Sequence, residues 1–325
     1  MNDNFSHRKI CAIVVTYNRN SLLVRCIDAV INQTYKCHTL LIVDNASTDG
    51  TDSILKDRFR SNCDIVLDKV VMLAIHDNIS IQYVKKSTNS GGAGGFSTGM
   101  EVAHGMGIFD GYWIMDDDGY PSAECLERQI KYLSTYGYVM PASIDVDNHL
   151  FMSWPTVLKG GGKSMEYSVV RSSWGEIMQY VYPFNGSLLS SCLVSDVGYV
   201  DKRLFIWGDE YDHYWRCRSL GYMPVTIIDA EFYHPANKMA FTPIFFKMIK
   251  VPYVESKWKM VCLARNYTYI YRHYGMWYKI PIKFLIYTWL FIVTRKFDWQ
   301  GWWLYVQSVK DGFVEDFSRH YKYLK

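Results

Sequence analysis

Short apolar runs alternate with helical patterns through the first half of the 325-residue chain. Residues 10–15, 40–43, 81–84 and 112–115 form four such runs, and each has the length and continuous apolar character of a buried strand. Strands that alternate with helices predict an α/β fold in which helices cover both faces of a parallel sheet. In such sheets, ligands bind in the crevice beyond the carboxyl ends of the strands.

A polar or glycine-rich segment follows each of the four predicted strands. These segments are Thr-Tyr-Asn-Arg at 16–19, Asp-Asn-Ala-Ser-Thr-Asp at 44–49, Asn-Ser-Gly-Gly-Ala-Gly-Gly at 89–95 and Asp-Asp-Asp at 116–118. Because the carboxyl ends of parallel strands meet at one edge of a sheet, we expect the four segments to converge there. That arrangement predicts a nucleotide-binding site.

Three consecutive carboxylates at a strand end repel one another, and a bound cation would relieve the repulsion. Asp116 and Asp118 are alternate residues of an extended segment, so their side chains point the same way and form the better ligand pair. Mg²⁺ or Mn²⁺ held by one or two carboxylates, with phosphate and water completing the shell, fits this pattern. The alternative interpretation is a solvated acidic turn.

His234 follows a further apolar run at residues 225–228. The acidic triplet gives a reason to predict that this histidine completes the metal shell. Its alternative interpretation is a structural histidine.

The glycine run at 91–95 allows a backbone to approach a ligand closely, and a helix start there would suit an anion. The run lacks the G-x-G-x-x-G spacing and a Gly-Lys-Ser/Thr ending, so neither the dinucleotide nor the P-loop fingerprint fits. Its alternative interpretation is a plain flexible turn.

A second acidic cluster marks the start of a predicted helix near residue 209. Asp209 and Glu210 are candidates for a general base that takes a proton from an acceptor hydroxyl. Trp207, just before them, is a candidate for stacking on a sugar ring. The alternatives are acids that interact with a helix dipole and a tryptophan that belongs to the core.

The C-terminal region differs from the rest of the chain in charge and composition. Residues 238–325 carry 15 Lys and Arg against 5 Asp and Glu, whereas residues 1–237 carry 20 against 27. Aromatic residues make up 15 of the last 50, compared with 16% of the whole chain. We therefore predict a catalytic domain at 1–237 and a separate helical, aromatic-rich region at 238–325.

The basic, aromatic region is predicted to lie on a membrane surface as interfacial helices. Its uncharged run at 284–294 would span about 16 Å as a helix, too short to cross a bilayer. The alternative is packing against the catalytic domain or a second subunit, which leaves a homo-oligomer open. Cationic and aromatic residues together can also bind single-stranded nucleic acid, but the acidic first half argues against nucleic acid as a partner.

Cysteine usage and the N-terminus predict the compartment. Eight scattered cysteines without a C-x-x-C pair are typical of reduced thiols, and the polar N-terminus shows no secretory signal. We expect a cytoplasmic protein that is peripheral on the inner face of the cell membrane.

Taken together, these segments resemble the inverting nucleotide-sugar glycosyltransferases of family 2, which have the GT-A fold. The resemblance runs from residue 10 to about residue 234 and includes Trp-Gly-Asp-Glu at 207–210 with Arg216 beyond it. Within the family, the segments at 89–96 and 113–121 are most similar to those of the galactofuranosyltransferases. A rhamnosyltransferase that uses dTDP-rhamnose is the alternative, since the related enzymes share most of these motifs.

The resemblance implies roles for individual residues. It implies that the nucleotide-sugar donor contacts polar and glycine residues at the strand ends: Thr16, Arg19, Asp44, Asn45, Asn89, Gly91, Gly92 and Asp117. It also implies that Asp116, Asp118 and His234 hold Mn²⁺ or Mg²⁺, and that Trp207 contacts the acceptor.

Two positions depart from the pattern of the family. Glu210 occupies the base position, where family members usually carry Asp, so Asp209 remains a rival for that role. Asn45 stands where many relatives carry an acid that contacts uracil. This departure leaves the nucleobase open, and a UDP-sugar is favoured as donor only by the resemblance to the galactofuranosyltransferases.

The reaction implied by the resemblance is one in-line displacement at the anomeric carbon with inversion. The expected substrates are UDP-galactofuranose and a lipid-linked glycan or polysaccharide precursor, in the synthesis of cell-surface polysaccharide.

Two other classes of protein are alternatives to a glycosyltransferase. A nucleotidyltransferase normally has a glycine-rich loop with a basic residue after the first strand, which is absent here. A non-catalytic scaffold would have no reason to keep uncompensated carboxylates together.

Overall fold

A computed structural model describes residues 8–181, 184–236 and 241–324. The strands are β1 (Ile10–Thr16), β2 (Thr39–Asp44), β3 (Val70–His76), β4 (Ile79–Lys85), β5 (Gly111–Asp116), β6 (Tyr120–Pro121), β7 (Tyr138–Asp145), β8 (Phe151–Val157), β9 (Lys163–Glu166), β10 (Ile177–Met178), β11 (Asn185–Ser190), β12 (Val225–His234), β13 (Phe241–Ile244) and β14 (Ile249–Pro252).

The α-helices are α1 (Asn20–Ile31), α2 (Thr51–Phe59), α3 (Gly91–Gly105), α4 (Cys125–Ile130), α5 (Leu133–Tyr136), α6 (Tyr167–Trp174), α7 (Ser191–Val197), α8 (Asp209–Ser219), α9 (Lys257–His273), α10 (Lys279–Trp289) and α11 (Trp299–Val314). Short 3₁₀-helices cover Lys202–Leu204 and Arg319–Tyr323. A π-helical segment, Leu290–Thr294, extends α10.

The described residues divide into two compact units. The first unit contains residues 8–202 and 216–236, and the second contains residues 203–215 and 241–324. The predicted boundary between residues 237 and 238 lies outside the described residues. The structure differs from the expected division at residues 203–215, because this segment groups with the C-terminal residues and not with the preceding strands and helices.

The first unit is built on one large mixed sheet with the strand order β10-β12-β7-β11-β5-β1-β2-β4-β3. At its centre β1 pairs in parallel with β2 and β5, and β2 pairs in parallel with β4, as the sequence predicts. The sheet is not parallel throughout, because β3 and β11 join it antiparallel. The turn between β3 and β4 explains one exception, since Asp77 and Asn78 both have positive φ and form a two-residue hairpin connection.

Continuous apolar sequence explains the central strands. All seven residues of β1, Ile-Cys-Ala-Ile-Val-Val-Thr, are buried, and so are all six residues of β2. Strands covered on both faces read as unbroken apolar runs and not as an alternation. This is why the sequence located these two strands to within one residue at each end.

Two glycines allow α3 to pack closely against the central strands. A Cβ on Gly95 would overlap Val15 Cγ1, and a Cβ on Gly99 would overlap Ile13 Cγ2. Gly92, in contrast, has open space around it. The glycine-rich start of α3 therefore serves helix–sheet packing as well as any approach of a ligand.

The second unit has its own core, in which the hairpin β13–β14 and the helices α9, α10 and α11 meet. Buried aromatic and aliphatic side chains from these elements pack together, with Tyr287 stacked on Tyr305 at 4.8 Å between ring centroids. Across the described residues, every helix is too short or too polar to cross a membrane. All eight cysteines are free thiols, six of them buried.

Candidate active site

The carboxyl ends of four parallel strands meet at one edge of the sheet, which confirms the predicted convergence of the segments that follow them. Thr16 at the end of β1 pairs with Asp44 at the end of β2, and Asp44 pairs with Lys85 at the end of β4. On the other side of β1, Val15 pairs with Asp116. Thr16, Asp44 and Asp116 therefore end neighbouring strands.

The loops that follow β1 and β2 are joined by hydrogen bonds. The backbone amide of Asn18 donates to Ser47 Oγ at 2.9 Å, and Asn18 Oδ1 accepts from the backbone amide of Thr48 at 2.7 Å. The amide of Asn20 donates to Asp49 Oδ2 at 3.1 Å. Asn18 has φ +53°, a backbone region in which asparagine is enriched. The two loops consequently form a single polar wall.

Asp44 is fully buried, and both of its carboxylate oxygens accept hydrogen bonds. Tyr83 donates its hydroxyl to Oδ2 at 2.6 Å, and the backbone amide of Ser47 donates to Oδ1 at 2.7 Å. Burial, followed by the adjacent carboxylate, raises the pKa of Tyr83 well above its ordinary value, which keeps this hydroxyl a donor. Asp44 thus holds the loop after β2, and a contact with a nucleoside stays a prediction.

Asn45 connects the loop after β2 to the start of α3. Its side-chain amide donates to the carbonyl of Gly91 at 2.6 Å, and Oδ1 accepts from the amide and the hydroxyl of Ser90 at 3.2 and 3.0 Å. Asn89 contacts the same loop, since its Oδ1 accepts a hydrogen bond from the backbone amide of Gly91, a residue with φ +72°. These contacts fix the loop that enters α3 and leave donor binding by Asn45, Asn89 and Gly91 as a prediction.

Asp117 is buried between β1 and the loop that follows it. Thr16 donates its hydroxyl to Oδ2 at 2.6 Å, and Arg19 Nη1 lies 3.2 Å from Oδ1. Burial raises the pKa of Asp117 to about 6, although Thr16 and Arg19 stabilise the carboxylate. The predicted donor contacts Thr16, Arg19 and Asp117 therefore lie together in one network.

Asp118 contacts both a guanidinium and an imidazole. Arg19 Nη1 donates to Oδ2 at 2.7 Å, and His234 Nε2 lies 3.2 Å from Oδ1. Burial opposes ionisation of Asp118, but His234 and Arg19 outweigh it and bring the pKa of this carboxyl below its ordinary value. The structure thus brings together Asp118 and His234, two residues that are 116 positions apart in the sequence and were both predicted as metal ligands.

The imidazole of His234 is held in one orientation. Its Nδ1 lies 2.7 Å from the carbonyl oxygen of Pro235 and must donate there, because a carbonyl only accepts. The ring stacks on Trp154 with 4.8 Å between centroids. The backbone carbonyl of His234 accepts from Ser153 Oγ at 3.0 Å. Trp154 and Ser153 gave no signal in the sequence, since only the pairing of β8 with β7 brings them to this place.

The chemistry of this pair suits a divalent cation. A protonated His234 forms an ion pair with Asp118, whereas a neutral His234 with its proton on Nδ1 turns the lone pair of Nε2 towards Asp118 Oδ1, so that two acceptors face each other at 3.2 Å. Oδ1 is shielded from solvent and accepts no well-directed hydrogen bond from the described residues. A proton on the imidazole or a cation between the two atoms relieves this contact. A ligand histidine whose other nitrogen donates to a carbonyl is the usual arrangement at metal sites.

The described part of the chain supplies few ligands for such a cation. Among the residues that the structure describes, no three His, Cys, Asp or Glu side chains are grouped closely enough to hold a metal ion. A role for Asp116 as the third ligand therefore stays a prediction. Mg²⁺ and Mn²⁺ sites with one or two protein ligands normally take the rest of their shell from substrate phosphate and water.

The segment 203–215 belongs to the second unit and is fixed there by α9. Asn266 Nδ2 lies 2.8 Å from the carbonyls of Leu204 and Trp207. The side chain of Trp207 packs on the core of the second unit. Gly208, with φ +89°, has Ile270 close to where a Cβ would be. Sequence reasoning missed Asn266, because polar residues on a helix normally face solvent.

The two candidates for the general base differ in exposure. α8 begins at Asp209, which is buried at 6% exposure, whereas Glu210 is only partly buried. Burial and then the carboxylate of Glu210 raise the pKa of Tyr267, a neighbour in the same unit. Glu210 is thus the more exposed of the two carboxylates, and a role for either as general base stays a prediction.

Comparison with known proteins defines the class of this protein. The family model for glycosyl transferase family 2 matches residues 11–173, which is half of the chain, and the chain belongs to this family. This membership confirms the resemblance seen in the motifs, and the protein is a glycosyltransferase. The nucleotidyltransferase and scaffold alternatives are thereby set aside.

Two relatives are similar over nearly their whole length. The chain is 29% identical over 318 residues to the galactofuranosyltransferase GlfT1 of Mycolicibacterium smegmatis, a match that covers 95% of this chain and 98% of the relative. It is 28% identical over 316 residues to GlfT1 of Mycobacterium tuberculosis, which covers 95% and 97%.

Solved structures show the same fold. TarS 1–349 of S. aureus superimposes with a TM-score of 0.53 at 15% identity, over 96% of this chain and 89% of that chain. The mannosyltransferase PcManGT from Pyrobaculum calidifontis, in complex with GDP-Man and Mn²⁺, gives 0.52 at 16% identity, over 81% and 62%. At these identities the likeness is one of fold, and it confirms the predicted α/β architecture of the GT-A type.

Proposed function

We propose that this glycosyltransferase moves galactofuranose from UDP-galactofuranose to a lipid-linked glycan or polysaccharide precursor, with inversion at the anomeric carbon. The identity of the sugar is proposed from the similarity to two galactofuranosyltransferases over 95% of this chain. Similarity at 28–29% identity supports the choice of donor sugar, and it does not identify the acceptor hydroxyl. We further propose that the enzyme works in the cytoplasm at the inner face of the cell membrane.

The pairing of Asp118 with His234 supports a divalent cation, Mn²⁺ or Mg²⁺, as the cofactor. Bound there, the cation would neutralise charge on the departing diphosphate. Arg19 lies beside the same carboxylate, and its positive charge would attract the diphosphate of the donor. Thr16 and Arg19 would keep Asp117 in place, and Gly92 would leave room beside the start of α3 for the donor.

We propose Glu210 as the general base that takes the proton from the acceptor hydroxyl while the sugar is transferred. Its exposure, compared with the burial of Asp209, supports this choice. No covalent sugar–enzyme intermediate is needed, since inversion follows from one in-line displacement. Trp207 is proposed to contact the acceptor.

The test is nucleotide release by the purified protein across a panel of donors. UDP-galactofuranose, UDP-galactose, UDP-glucose and dTDP-rhamnose would each be supplied with Mn²⁺, Mg²⁺ or EDTA, with and without a lipid-linked saccharide extract. We expect UDP release from UDP-galactofuranose that needs the metal and is enhanced by the extract. Nucleotide release from dTDP-rhamnose alone would show that dTDP-rhamnose is the donor. Full activity in EDTA would show that the enzyme does not need a divalent cation.

The same assay separates the two candidates for the base. Glu210→Gln should bind UDP as the wild type does but transfer sugar about 100- to 10,000-fold more slowly, the usual contribution of a general base. Asp209→Asn is the matched control and should retain turnover within about tenfold. Near wild-type turnover by Glu210→Gln together with an inactive Asp209→Asn would move the role to Asp209.

A further inference from the structure

The hairpin of the second unit ends in an exposed apolar turn. β13 and β14 are joined by residues 245–248, in which Phe246 is 91% exposed and Met248 is 83% exposed. These are the two most exposed large apolar side chains among the described residues. Phe245, Phe246 and Lys247 have φ values of +49°, +55° and +70°, a region that residues with a Cβ rarely adopt. The fold thus holds apolar side chains in solvent at the tip of a tight turn.

A stripe on α10 continues this surface. Ile282, Leu285 and Trp289 are spaced three and four residues apart, so they lie on one face of the helix. Ile282 is 53% exposed and Leu285 is 67% exposed. The hairpin turn contacts the end of the stripe, because Phe245 stacks on Trp289 with 4.4 Å between ring centroids, and Phe246 lies 6.4 Å from the same ring.

We call this surface the apolar patch. It consists of exposed and half-exposed side chains on the hairpin turn and on α10: Phe246, Met248, Ile282, Leu285 and Trp289. Contiguous apolar surface that is rimmed by polar residues marks a contact site in soluble proteins. The charge around the patch decides what it contacts.

The surroundings of the apolar patch are basic. Residues 276–297 contain four Lys and Arg and no Asp or Glu, and residues 241–252 contain Lys247 and Lys250 and no acid. Lys283 follows Ile282 on α10, and burial together with Lys279 lowers the pKa of Lys283. Two copies of this chain that met through the patch would bring these like charges together, which disfavours a symmetric dimer. An anionic bilayer complements both the charge and the apolar side chains.

We propose that the apolar patch inserts into the surface of an anionic phospholipid bilayer, with Phe246 and Met248 entering the acyl boundary and Lys247, Lys250 and Lys283 at the headgroups. The proposal deepens the membrane location given under the proposed function and rests on it. It identifies the partner as lipid headgroups with neighbouring acyl chains, and it would place the enzyme where a lipid-linked acceptor is found.

The test is sedimentation of the full-length protein with vesicles of two compositions. One set contains phosphatidylcholine alone, and the other contains phosphatidylcholine and phosphatidylglycerol at a molar ratio of about 7:3, which supplies the anionic surface. The wild type should bind the anionic vesicles and dissociate as salt rises, since surface charges are screened over a Debye length of about 10 Å at 0.1 M.

Two double variants separate the apolar from the ionic contribution. Phe246→Ser with Met248→Ser should weaken binding to anionic vesicles at least about tenfold. Lys247→Gln with Lys250→Gln should weaken it about 25-fold and change nothing on neutral vesicles. The matched control is Ile75→Ser with Leu150→Ser, which removes apolar side chains of 72% and 73% exposure from the first unit. The control should bind as the wild type does.

Three results would overturn the proposal: no binding of the wild type to anionic vesicles, unchanged binding by the Phe246/Met248 variant, or equal losses in variant and control. A dimer that the Phe246/Met248 variant converts to a monomer, with no vesicle binding by either, would show that a second copy covers the patch. UDP release in detergent keeps this outcome separate from the proposed function, because the Phe246/Met248 variant should retain it. Absence of release from any donor would refute the function and leave vesicle binding as an independent result.

Discussion

Two halves of the strand-end site use their polar side chains differently. In the loops after β1 and β2, buried Asp44 and Asn45 accept or donate hydrogen bonds at both ends of their side chains. At the end of β5, Asp118 faces His234 across 3.2 Å with an oxygen that accepts no well-directed hydrogen bond from the described residues. Asp44 and Asn45 were predicted to bind the donor, and Asp118 and His234 were predicted to bind the metal, although all four residues lie just after apolar, strand-like runs of the sequence.

The difference separates residues that build the site from residues that can take a ligand. A buried polar atom that is already hydrogen-bonded gains little from a new partner, whereas one without a partner is costly to keep unless something binds it. Substitutions in the loop half should therefore lower stability first. Substitutions of the Asp118–His234 pair should lower activity while stability changes little.

The largest expected effect concerns Asp118. Asp118→Asn keeps the shape of the side chain but removes the charge that would hold a cation, so transfer should fall at least about 1,000-fold. Because Arg19, the guanidinium that pairs with Asp118, is half exposed, the unfolding free energy should change by no more than about 1 kcal/mol. Initial rates and urea unfolding of the same preparation measure both quantities.

The control for this variant is Asp147→Asn, an exposed aspartate in the same unit. It should match the wild type in both measurements. An Asp118→Asn enzyme that loses much stability and little activity would show that Asp118 builds the site, as the residues of the loop half do.

A smaller effect is expected from the packing that supports the loop half. Gly99→Ala would place a Cβ against Ile13 and 3.1 Å from Val43 Cγ2, at a cost of about 1–3 kcal/mol in unfolding free energy. Gly105→Ala in the same helix is the matched control, since nothing lies within 4 Å of its Cβ. That control should be neutral or more stable by up to about 1 kcal/mol. The urea concentration at the midpoint of unfolding is measured for both variants. Equal midpoints would show that α3 adjusts to the methyl group.

Sequence alone could predict the central strands and the position of the site because both are encoded locally. Unbroken apolar runs identify β1 and β2, and the polar residues that follow them must lie at the carboxyl edge of a parallel sheet. β3 was missed, since it lies at the edge of the sheet and leaves Met72 and Ile75 exposed, so its residues show no clear core face.

Features that depend on distant pairing could not be read from the chain. His234 was suspected, but Trp154 stacks on it only because β8 pairs with β7, which in turn pairs with β12. Residues 203–215 group with the second unit, where Arg265 in the middle of α9 is fully buried and donates to the carbonyl of Leu204 at 3.1 Å, beside the bonds that Asn266 makes. An arginine in a helix would ordinarily be assigned to the surface.

We propose that Asp118 and His234 bind a divalent cation together with the nucleotide, and Mn²⁺ binding measured by electron paramagnetic resonance tests this without relying on activity. The wild type should remove free Mn²⁺ from solution when UDP is present. Asp118→Asn and His234→Gln should each bind at least about tenfold more weakly, and Asp147→Asn should bind as the wild type does. Equal Mn²⁺ affinity in the wild type and in both site variants would show that Asp118 and His234 do not bind the cation.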